Sequence, residues 1–243
     1  MKQWIIGRNP VFEALRAKRR TVFNLNFADG IEEKGIILEI IQLAKDINVP
    51  IKRVDRQKIS KLGHNHQGIA LEVSDYPYLN IEDILDNASR RDEKPFILIL
   101  DVIQDPQNLG TLLRTAEAVG VHGVIIPVKR AASITQSVVS SSSGATEHLT
   151  IAQANLSQSI NYLKENNIWI YGLEKTEVSS PIDRTNLSGA IALVVGSEGQ
   201  GLRALTIKSC DNLIHIPMVG NINSLNASTA GSVALYKAFY DRQ

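Results

Sequence analysis

Three short polar segments beyond residue 100 carry the residue types that could perform chemistry in this chain. Each places Gly, Asn, Ser or a charged residue at the end of an apolar, strand-like run. Because ligands bind at the carboxyl ends of the strands in open α/β sheets, we expect the three segments to form one composite site. The segments are 105–114 (DPQNLGTLLR), 196–202 (GSEGQGL), and 216–218 (IPM) continued by 224–228 (SLNAS).

The first segment predicts a helix over 109–119 with Asn108 as its N-terminal cap. Arg114 is expected opposite the apolar stripe of this helix, where its guanidinium can reach a ligand at the sheet edge. A capping Asn and a solvated Arg would explain the same pattern. The apolar stripe consists of Leu109, Leu112, Leu113, Ala116 and Val119.

The second segment is a glycine-rich loop around Glu198. Glycine permits positive φ and a close approach of backbone to a ligand. The spacing is neither G-x-G-x-x-G nor that of a P-loop, which excludes the standard dinucleotide and triphosphate fingerprints. A carboxylate here would repel phosphates and suit a cationic ligand, or a hydroxyl or amine donor. The alternative is a tight turn with an exposed Glu.

The third segment opens the last predicted helix, 226–240, with Asn226 as its cap. Small residues on this helix predict very close packing against another element or a second subunit. A buried C-terminal helix with an ordinary cap is the alternative. The small residues are Ala227, Ser228, Ala230, Gly231 and Ala234.

The elements that must position these segments predict two α/β domains. Residues 1–75 form a compact α/β module, and residues 76–94 form a linker with one short helix near 81–88. Residues 95–243 alternate strand and helix, which predicts a mostly parallel sheet covered by helices. The serine-rich run 140–143 is expected in a small-residue helix, near 134–142, packed on that sheet.

Composition excludes several classes of protein. Cys210 is the only cysteine, so there is no disulfide framework and no thiolate metal site. Only His64 and His66 lie close together among the five histidines, without a carboxylate or Cys at a useful spacing, so we expect no metal. No G-x-S-x-G nucleophile elbow, signal peptide or bilayer-length apolar run is present, which predicts a cytoplasmic protein without membrane association.

The net charge of +1 conceals an uneven distribution. Residues 1–75 carry a net charge of +4 and the remainder −3, with basic clusters at 16–20 and 52–61. Basic patches bind phosphates with a gain from counterion release, which favours RNA. A solvated helix end followed by a solvated turn fits the charges equally well.

Together the three segments resemble the motifs of the SPOUT class of knotted RNA methyltransferases, specifically the TrmH-like ribose 2′-O-methyltransferases. Residues 7–15 (GRNPVFEAL) and 66–70 (HQGIA) resemble the small RNA-recognition domain of that family, which is akin to kink-turn-binding ribosomal proteins. The resemblance covers nearly the whole chain. The nearest subgroup is the RlmB-type 23S rRNA guanosine-2′-O-methyltransferases.

The resemblance implies a deep trefoil knot in the C-terminal domain, an exception to the rule against threaded chains. It also implies an obligate homodimer that binds S-adenosylmethionine in the knot, with Arg114 near the subunit boundary. The cofactor contacts would come from Gly196, Ile216, Leu225, Glu198, Met218 and Asn226. The family's catalytic Arg corresponds to Arg114, with Asn108, Glu198, Ser224 and Asn226 as supporting catalytic residues.

Two roles are open for Arg114, either general base or stabiliser of the developing ribose oxyanion or an adjacent phosphate. We favour the second because a guanidinium is hard to deprotonate. The expected reaction is S-adenosylmethionine-dependent 2′-O-methylation of a guanosine ribose in 23S rRNA. The alternatives are a tRNA guanosine-2′-O-methyltransferase and a non-catalytic RNA-binding or ribosome-assembly protein with the same fold.

Overall fold

The structure is a computed structural model that describes residues 2–129, 131–221 and 224–243. Its strands are β1 (Lys2–Ile6), β2 (Val22–Ala28), β3 (Ile51–Val54), β4 (Ile69–Ser74), β5 (Phe96–Asp101), β6 (Gly123–Pro127), β7 (Ile151–Ala154), β8 (Trp169–Leu173), β9 (Ser180–Pro181), β10 (Ile191–Gly196) and β11 (Asn212–His215). Its helices are α1 (Arg8–Ala17), α2 (Ile36–Asp46), α3 (Arg56–Ser60), α4 (Ile81–Arg90), α5 (Pro106–Ala118), α6 (Gln136–Ser141), α7 (Leu156–Glu165), α8 (Ala204–Ser209) and α9 (Ala227–Asp241), with short 3₁₀ turns at Ala145–Glu147 and Ile182–Arg184.

The chain forms two compact units. The first extends to Pro77 and also includes Ile134–His148, and the second consists of Tyr78–Ser133 and Leu149–Gln243. The sequence instead predicts domains at 1–75 and 95–243 with a linker at 76–94. The division into two independent domains stays a prediction. In the structure, the helix of the predicted linker, α4, packs on β6 and β7, and its Ile84 is fully buried.

The first unit contains a four-stranded mixed sheet in the order β1-β4-β2-β3. β2 runs parallel to β3 and antiparallel to β4, while β1 is an edge strand antiparallel to β4. Strand β1 was not predicted, because its pairing of Lys2 with Ser74 joins residues more than 70 positions apart. Helix α1 begins at Arg8, and Gly7 is its N-cap.

The serine-rich segment forms α6, as predicted, but it belongs to the first unit, where α6 packs against β1. A buried ion pair fixes the segment there. Arg20 donates from Nε and Nη2 to the two carboxylate oxygens of Glu147 at 2.8 and 2.7 Å, and both side chains are only 1% exposed. Tyr76 adds a hydrogen bond from its hydroxyl to the Thr146 carbonyl at 2.8 Å. Such long-range pairing cannot be recognised from local sequence.

The second unit contains a seven-stranded sheet in the order β7-β6-β5-β10-β8-β11-β9. All of its described strand pairs are parallel, which confirms the predicted α/β fold with a parallel sheet. Residues of α4 and α7 join alternate residues of β5 and β10 in one buried cluster on one face. On the other face α5 packs against α9. The deep trefoil knot stays a prediction.

The strand order indicates where on the sheet a ligand would bind. β5 and β10 lie side by side at the centre of the sheet, and the chain runs from β5 outward through β6 and β7 on one side only. The later strands fill the other side, so the order reverses between β5 and β10. Ligands bind at such a switch point, beyond the carboxyl ends of the strands. Gly196, which ends β10, pairs there with Asp101, which ends β5.

Candidate functional site

The first motif follows β5 and becomes the start of α5. Asp105, rather than the predicted Asn108, caps this helix, because its Oδ2 accepts from the Asn108 backbone N–H at 3.0 Å. Pro106 occupies the first helical position, where its missing N–H costs nothing. Asn108 therefore lies in the first turn of α5, and its side chain is available for other contacts.

Asn108, Glu198 and Asn226 form a hydrogen-bonded triangle that joins the three motifs. Asn108 donates from Nδ2 to the Glu198 carboxylate at 3.1 Å. Asn226 donates from Nδ2 both to Asn108 Oδ1 at 3.0 Å and to Glu198 Oε2 at 3.1 Å. The triangle brings the three separate segments together, as expected, while their role as one composite ligand site stays a prediction. It presents one carboxylate, held by two amide groups, at the edge of the sheet.

The other end of the Asn226 side chain caps α9, as the sequence predicted. Its Oδ1 accepts from the backbone N–H groups of Ser228 at 2.9 Å and Thr229 at 3.3 Å. The cap fixes which end of the amide is the acceptor, so Nδ2 must point at the triangle. The predicted close packing of α9 is also present, because a Cβ on Gly231 would lie 2.4 Å from a methyl group of Leu112 in α5.

A cavity of about 570 Å³ lies beside the triangle, beyond the ends of β8, β10 and β11. Its size is typical of small-molecule sites. One side of the cavity is the glycine-rich loop, and the other is the third motif. All the residues that the resemblance assigns to the cofactor line it: Gly196, Glu198, Ile216, Met218, Leu225 and Asn226. Ser224 lines it as well.

Backbone packing closes the glycine-rich loop tightly. Ser197 and Gly201 exchange backbone hydrogen bonds of 3.1 and 3.0 Å across the loop. A Cβ on Gly196 would lie 2.3 Å from the Gly201 carbonyl carbon, so only glycine permits this approach. Glu174 supports the loop from outside, accepting from the Leu202 backbone N–H at 2.8 Å.

Glu174 was not predicted as a site residue, and neither was Asp101, which supports the segment that follows the glycine-rich loop. Asp101 is fully buried at the end of β5 and accepts from the Arg203 backbone N–H at 3.0 Å and from Arg203 Nε at 2.6 Å. Val102, which follows, has φ of 63°, a left-handed conformation that strains a β-branched residue and is typical of functional sites. The rule that selected the three motifs would have found Glu174, since it directly follows β8.

Asn108 is not part of the described cavity lining, but it bonds to Glu198 and Asn226, which are. Arg114 also lies outside that lining. It is exposed on α5, opposite the buried stripe, as predicted. It is six residues beyond Asn108, about 9 Å along the helix axis. In the described parts of the chain, no group of three or more His, Cys, Asp or Glu residues is placed to hold a metal ion. None of the described helices is long and apolar enough to cross a membrane.

Family models match both units of the chain. The model of the SpoU rRNA methylase family matches residues 95–236, which is more than half of the chain. The chain belongs to the SpoU rRNA methylase family. A second model, the substrate-binding domain of RNA 2′-O ribose methyltransferases, matches residues 4–79. The predicted TrmH-like family is therefore confirmed, while the RlmB-type assignment stays a prediction.

Individual relatives agree with the family. The chain is 39% identical over 98% of its length to a Bacillus subtilis protein, YacO, named as a TrmH family tRNA/rRNA methyltransferase, of which the match covers 96%. The fold is similar to that of the SpoU methyltransferase AviRb from Streptomyces viridochromogenes, solved in complex with AdoMet, at a TM-score of 0.84 and 21% identity over 99% of this chain and 90% of AviRb. A TrmH/SpoU tRNA modifying enzyme of A. aeolicus matches only 65% of this chain and 84% of its own, at a TM-score of 0.56 and 25% identity.

Proposed function

We propose that this SpoU family protein transfers a methyl group from S-adenosylmethionine to a ribose 2′-oxygen in RNA, with a guanosine of 23S rRNA as its target. The observation that carries the proposal is the Asn108–Glu198–Asn226 triangle at the rim of the 570 Å³ cavity. The family supports RNA methyl transfer, and AviRb, which has the same fold, binds AdoMet.

The cavity suits S-adenosylmethionine by size and by chemistry. Its wall combines apolar side chains at Ile216, Met218 and Leu225, which suit an adenine ring, with the Glu198 carboxylate, which attracts a sulfonium cation. When bound, the cofactor supplies an electrophilic methyl group. Gly196, Ile216 and Leu225 would hold it through the backbone, and Glu198, Met218 and Asn226 through neighbouring contacts.

The protein's own residues would orient the ribose and favour loss of its 2′-hydroxyl proton to solvent water as the oxygen bonds to the methyl group. Asn108, Glu198, Ser224 and Asn226 supply donors and acceptors that fix the ribose hydroxyls, and such positioning contributes much of the rate in methyl transfer. Because Arg114 lies apart from the cavity of its own chain, it would act across the subunit boundary of a dimer, donating hydrogen bonds to the developing ribose oxyanion or to an adjacent phosphate. Its guanidinium stays protonated at neutral pH. Arg114→Lys should then slow transfer at least tenfold; near-full rate with unchanged RNA affinity would exclude a specific guanidinium role.

Ribosomal RNA is favoured over tRNA by the extent of the matches. The A. aeolicus tRNA modifying enzyme has no counterpart for over a third of this chain, whereas this chain carries a substrate-binding domain at residues 4–79. The basic charge of residues 1–75 is consistent with RNA selection by this part of the chain. A tRNA substrate is the second candidate, since the relatives' names include both RNA classes.

We also propose that the enzyme is a homodimer. Val233, Tyr236 and Tyr240 recur along α9 at helical spacing and are 43%, 44% and 69% exposed in the single chain. Exposed apolar residues in such a stripe are typical of an interface. Tyr236→Arg should convert the dimer to monomers in sedimentation velocity, and a wild-type protein that sediments as a monomer would contradict the proposal.

Methyl transfer can be tested directly. The protein is incubated with methyl-labelled S-adenosylmethionine and either ribosomal RNA or tRNA, and the alkali-resistant dinucleotide is mapped. We expect label in large-subunit rRNA at a guanosine, and we expect Glu198→Gln to lose cofactor binding in calorimetry. Label in tRNA alone would overturn the rRNA assignment. Absence of S-adenosylmethionine binding by the wild type would favour a non-catalytic RNA-binding or ribosome-assembly protein.

A further inference from the structure

A second cavity opens at the same carboxyl edge of the sheet in the second unit. It measures about 530 Å³ and lies beyond the ends of β6 and β7, whereas the candidate cofactor cavity lies beyond β8, β10 and β11. The two cavities therefore lie on opposite sides of the switch point between β5 and β10. None of the residues assigned to the proposed reaction lines the second cavity.

One continuous segment connects the two cavities. Gly196, Ser197, Glu198, Gly199 and Gly201 line the first, and Arg203 and Leu205 line the second. A ligand bound at the triangle could therefore continue over this segment into the second cavity. A polymer such as RNA must extend beyond the triangle in both directions, because the ribose that is methylated is attached to a neighbouring nucleotide on each side.

Two cationic side chains line the second cavity. Arg203 is held by the buried Asp101 through its Nε, while its side chain stays 51% exposed. Within residues 2–129, 131–221 and 224–243, neither Nη of Arg203 nor Nζ of Lys129 has a hydrogen-bond partner. Because Asp101 already fixes the guanidinium, its two Nη groups can meet a phosphate at little entropic cost.

The remaining wall is mostly apolar and open to solvent, with Asn155, Ser157 and Thr206 as its other polar residues. Val128 and Leu205 are 57% and 62% exposed, although both are large hydrophobic residues. A cavity with apolar walls and cations at its rim matches a nucleotide, which combines an apolar base face with a charged phosphate. Single-stranded RNA is read by such splayed-out bases.

We propose that this cavity holds a nucleotide that adjoins the methylated one, with its phosphate at Lys129 and Arg203 and its base against Val128 and Leu205. The inference rests on the proposed function, because the RNA strand must enter from the Asn108–Glu198–Asn226 triangle. The cavity would then contribute to selecting the RNA sequence around the target nucleotide.

The charge contribution can be measured by salt dependence. Binding of a short fluorescent single-stranded RNA of mixed sequence is measured by anisotropy between about 50 and 200 mM salt. Loss of one phosphate contact lowers the slope of log K against log salt by about 0.7 for a single strand. Lys129→Gln should show this change together with a several-fold loss of affinity. Lys208→Gln, on an exposed position of α8 outside the cavity, is the matched control and should show neither.

The apolar wall is tested by Leu205→Asn, which should weaken RNA binding several-fold without changing the salt slope. Val178→Asn, at an exposed apolar position elsewhere, is its control. Equal behaviour of Lys129→Gln and Lys208→Gln would overturn the proposal. A change in sedimentation mass rather than RNA affinity would also overturn it, because the surface would then bind protein. Calorimetry with S-adenosylmethionine is run on every protein, so failure of the proposed function is seen separately in the wild type.

Discussion

Substitution of Asn226 by Asp separates the two tasks of this side chain. Its Oδ1 caps α9, and its Nδ2 donates to Asn108 and Glu198. Asn226→Asp keeps an oxygen at the cap but places a carboxylate oxygen where the donor was, facing Glu198. Asn226→Ala removes both functions without adding charge. We therefore expect Asn226→Asp to be the more stable variant and Asn226→Ala to be the faster one in methyl transfer.

The magnitudes follow from the distances. Asn226→Asp loses two hydrogen bonds of 3.0 and 3.1 Å, each worth about 0.5–1.5 kcal/mol. It also adds a like-charge contact worth about 1 kcal/mol, the value for exposed groups in water. In this variant, the contacts of residue 226 with Asn108 and Glu198 become about 2–4 kcal/mol harder to form. This cost corresponds to a methyl transfer that is roughly 30- to 800-fold slower. The Ala variant lacks the repulsion and should be about fivefold faster than the Asp variant.

Stability should follow the cap instead. An Asp cap is as good as Asn, and its charge interacts favourably with the helix N-terminus, while Ala costs about 1 kcal/mol. Glu198 is exposed and can turn to solvent, which limits the cost of repulsion to the fold. Asn226→Ala should therefore melt about 2–4 °C below Asn226→Asp.

Methyl transfer and thermal unfolding are measured on both variants, and transfer is repeated at decreasing pH. Two carboxylates this close share a proton at a pH where one alone is ionised, so the relative rate of Asn226→Asp should rise as the pH falls. Asn226→Ala carries no second carboxylate beside Glu198 and should therefore lack this pH response. The same rank order for stability and activity, or a relative rate independent of pH, would refute the role assigned to the triangle.

Three further predictions concern the supports of the fold and site. Glu147→Gln should lower the free energy of unfolding, measured by urea denaturation, by about 3–5 kcal/mol, because it leaves Arg20 as an uncompensated buried charge. Replacing both residues of the pair by Met and Leu should restore most of this loss. Equal losses in the single and double variants would contradict this account. Gly196→Ala should abolish S-adenosylmethionine binding in calorimetry while the far-UV spectrum is kept, since the new methyl group would meet the Gly201 backbone; unchanged affinity would show that the loop can open freely. Burial lowers the pKa of His122 below its ordinary value of 6.5, so the unfolded state binds the proton first and the free energy of unfolding should fall as the pH drops below 6.5 towards the folded pKa, with a slope of at most about 1.4 kcal/mol per pH unit. His122→Gln should lose this slope, and identical pH profiles would disprove it.

Local patterns were sufficient for most elements of the second unit. Helix α7 has clear local signals, because Asn155 caps it and its apolar stripe is regular. The last helix agrees with the predicted bounds 226–240 within one residue, since a capped run of small residues has few alternative structures. The cap at Asp105 was missed because Asp105 and Asn108 are both good caps, and only the backbone geometry distinguishes them.

The sequence by itself determined the three motifs, their place at the ends of strands and, through their joint resemblance, the family. These depend on residue types and spacings that are local. The tertiary structure alone decided that Asn108, Glu198 and Asn226 meet in one triangle, that Asp101 holds Arg203, and that 134–148 packs with the first unit. Each of these contacts joins residues 28 to 127 positions apart. Strand order and buried charge pairing create such contacts, and neither leaves a periodic signal in the chain.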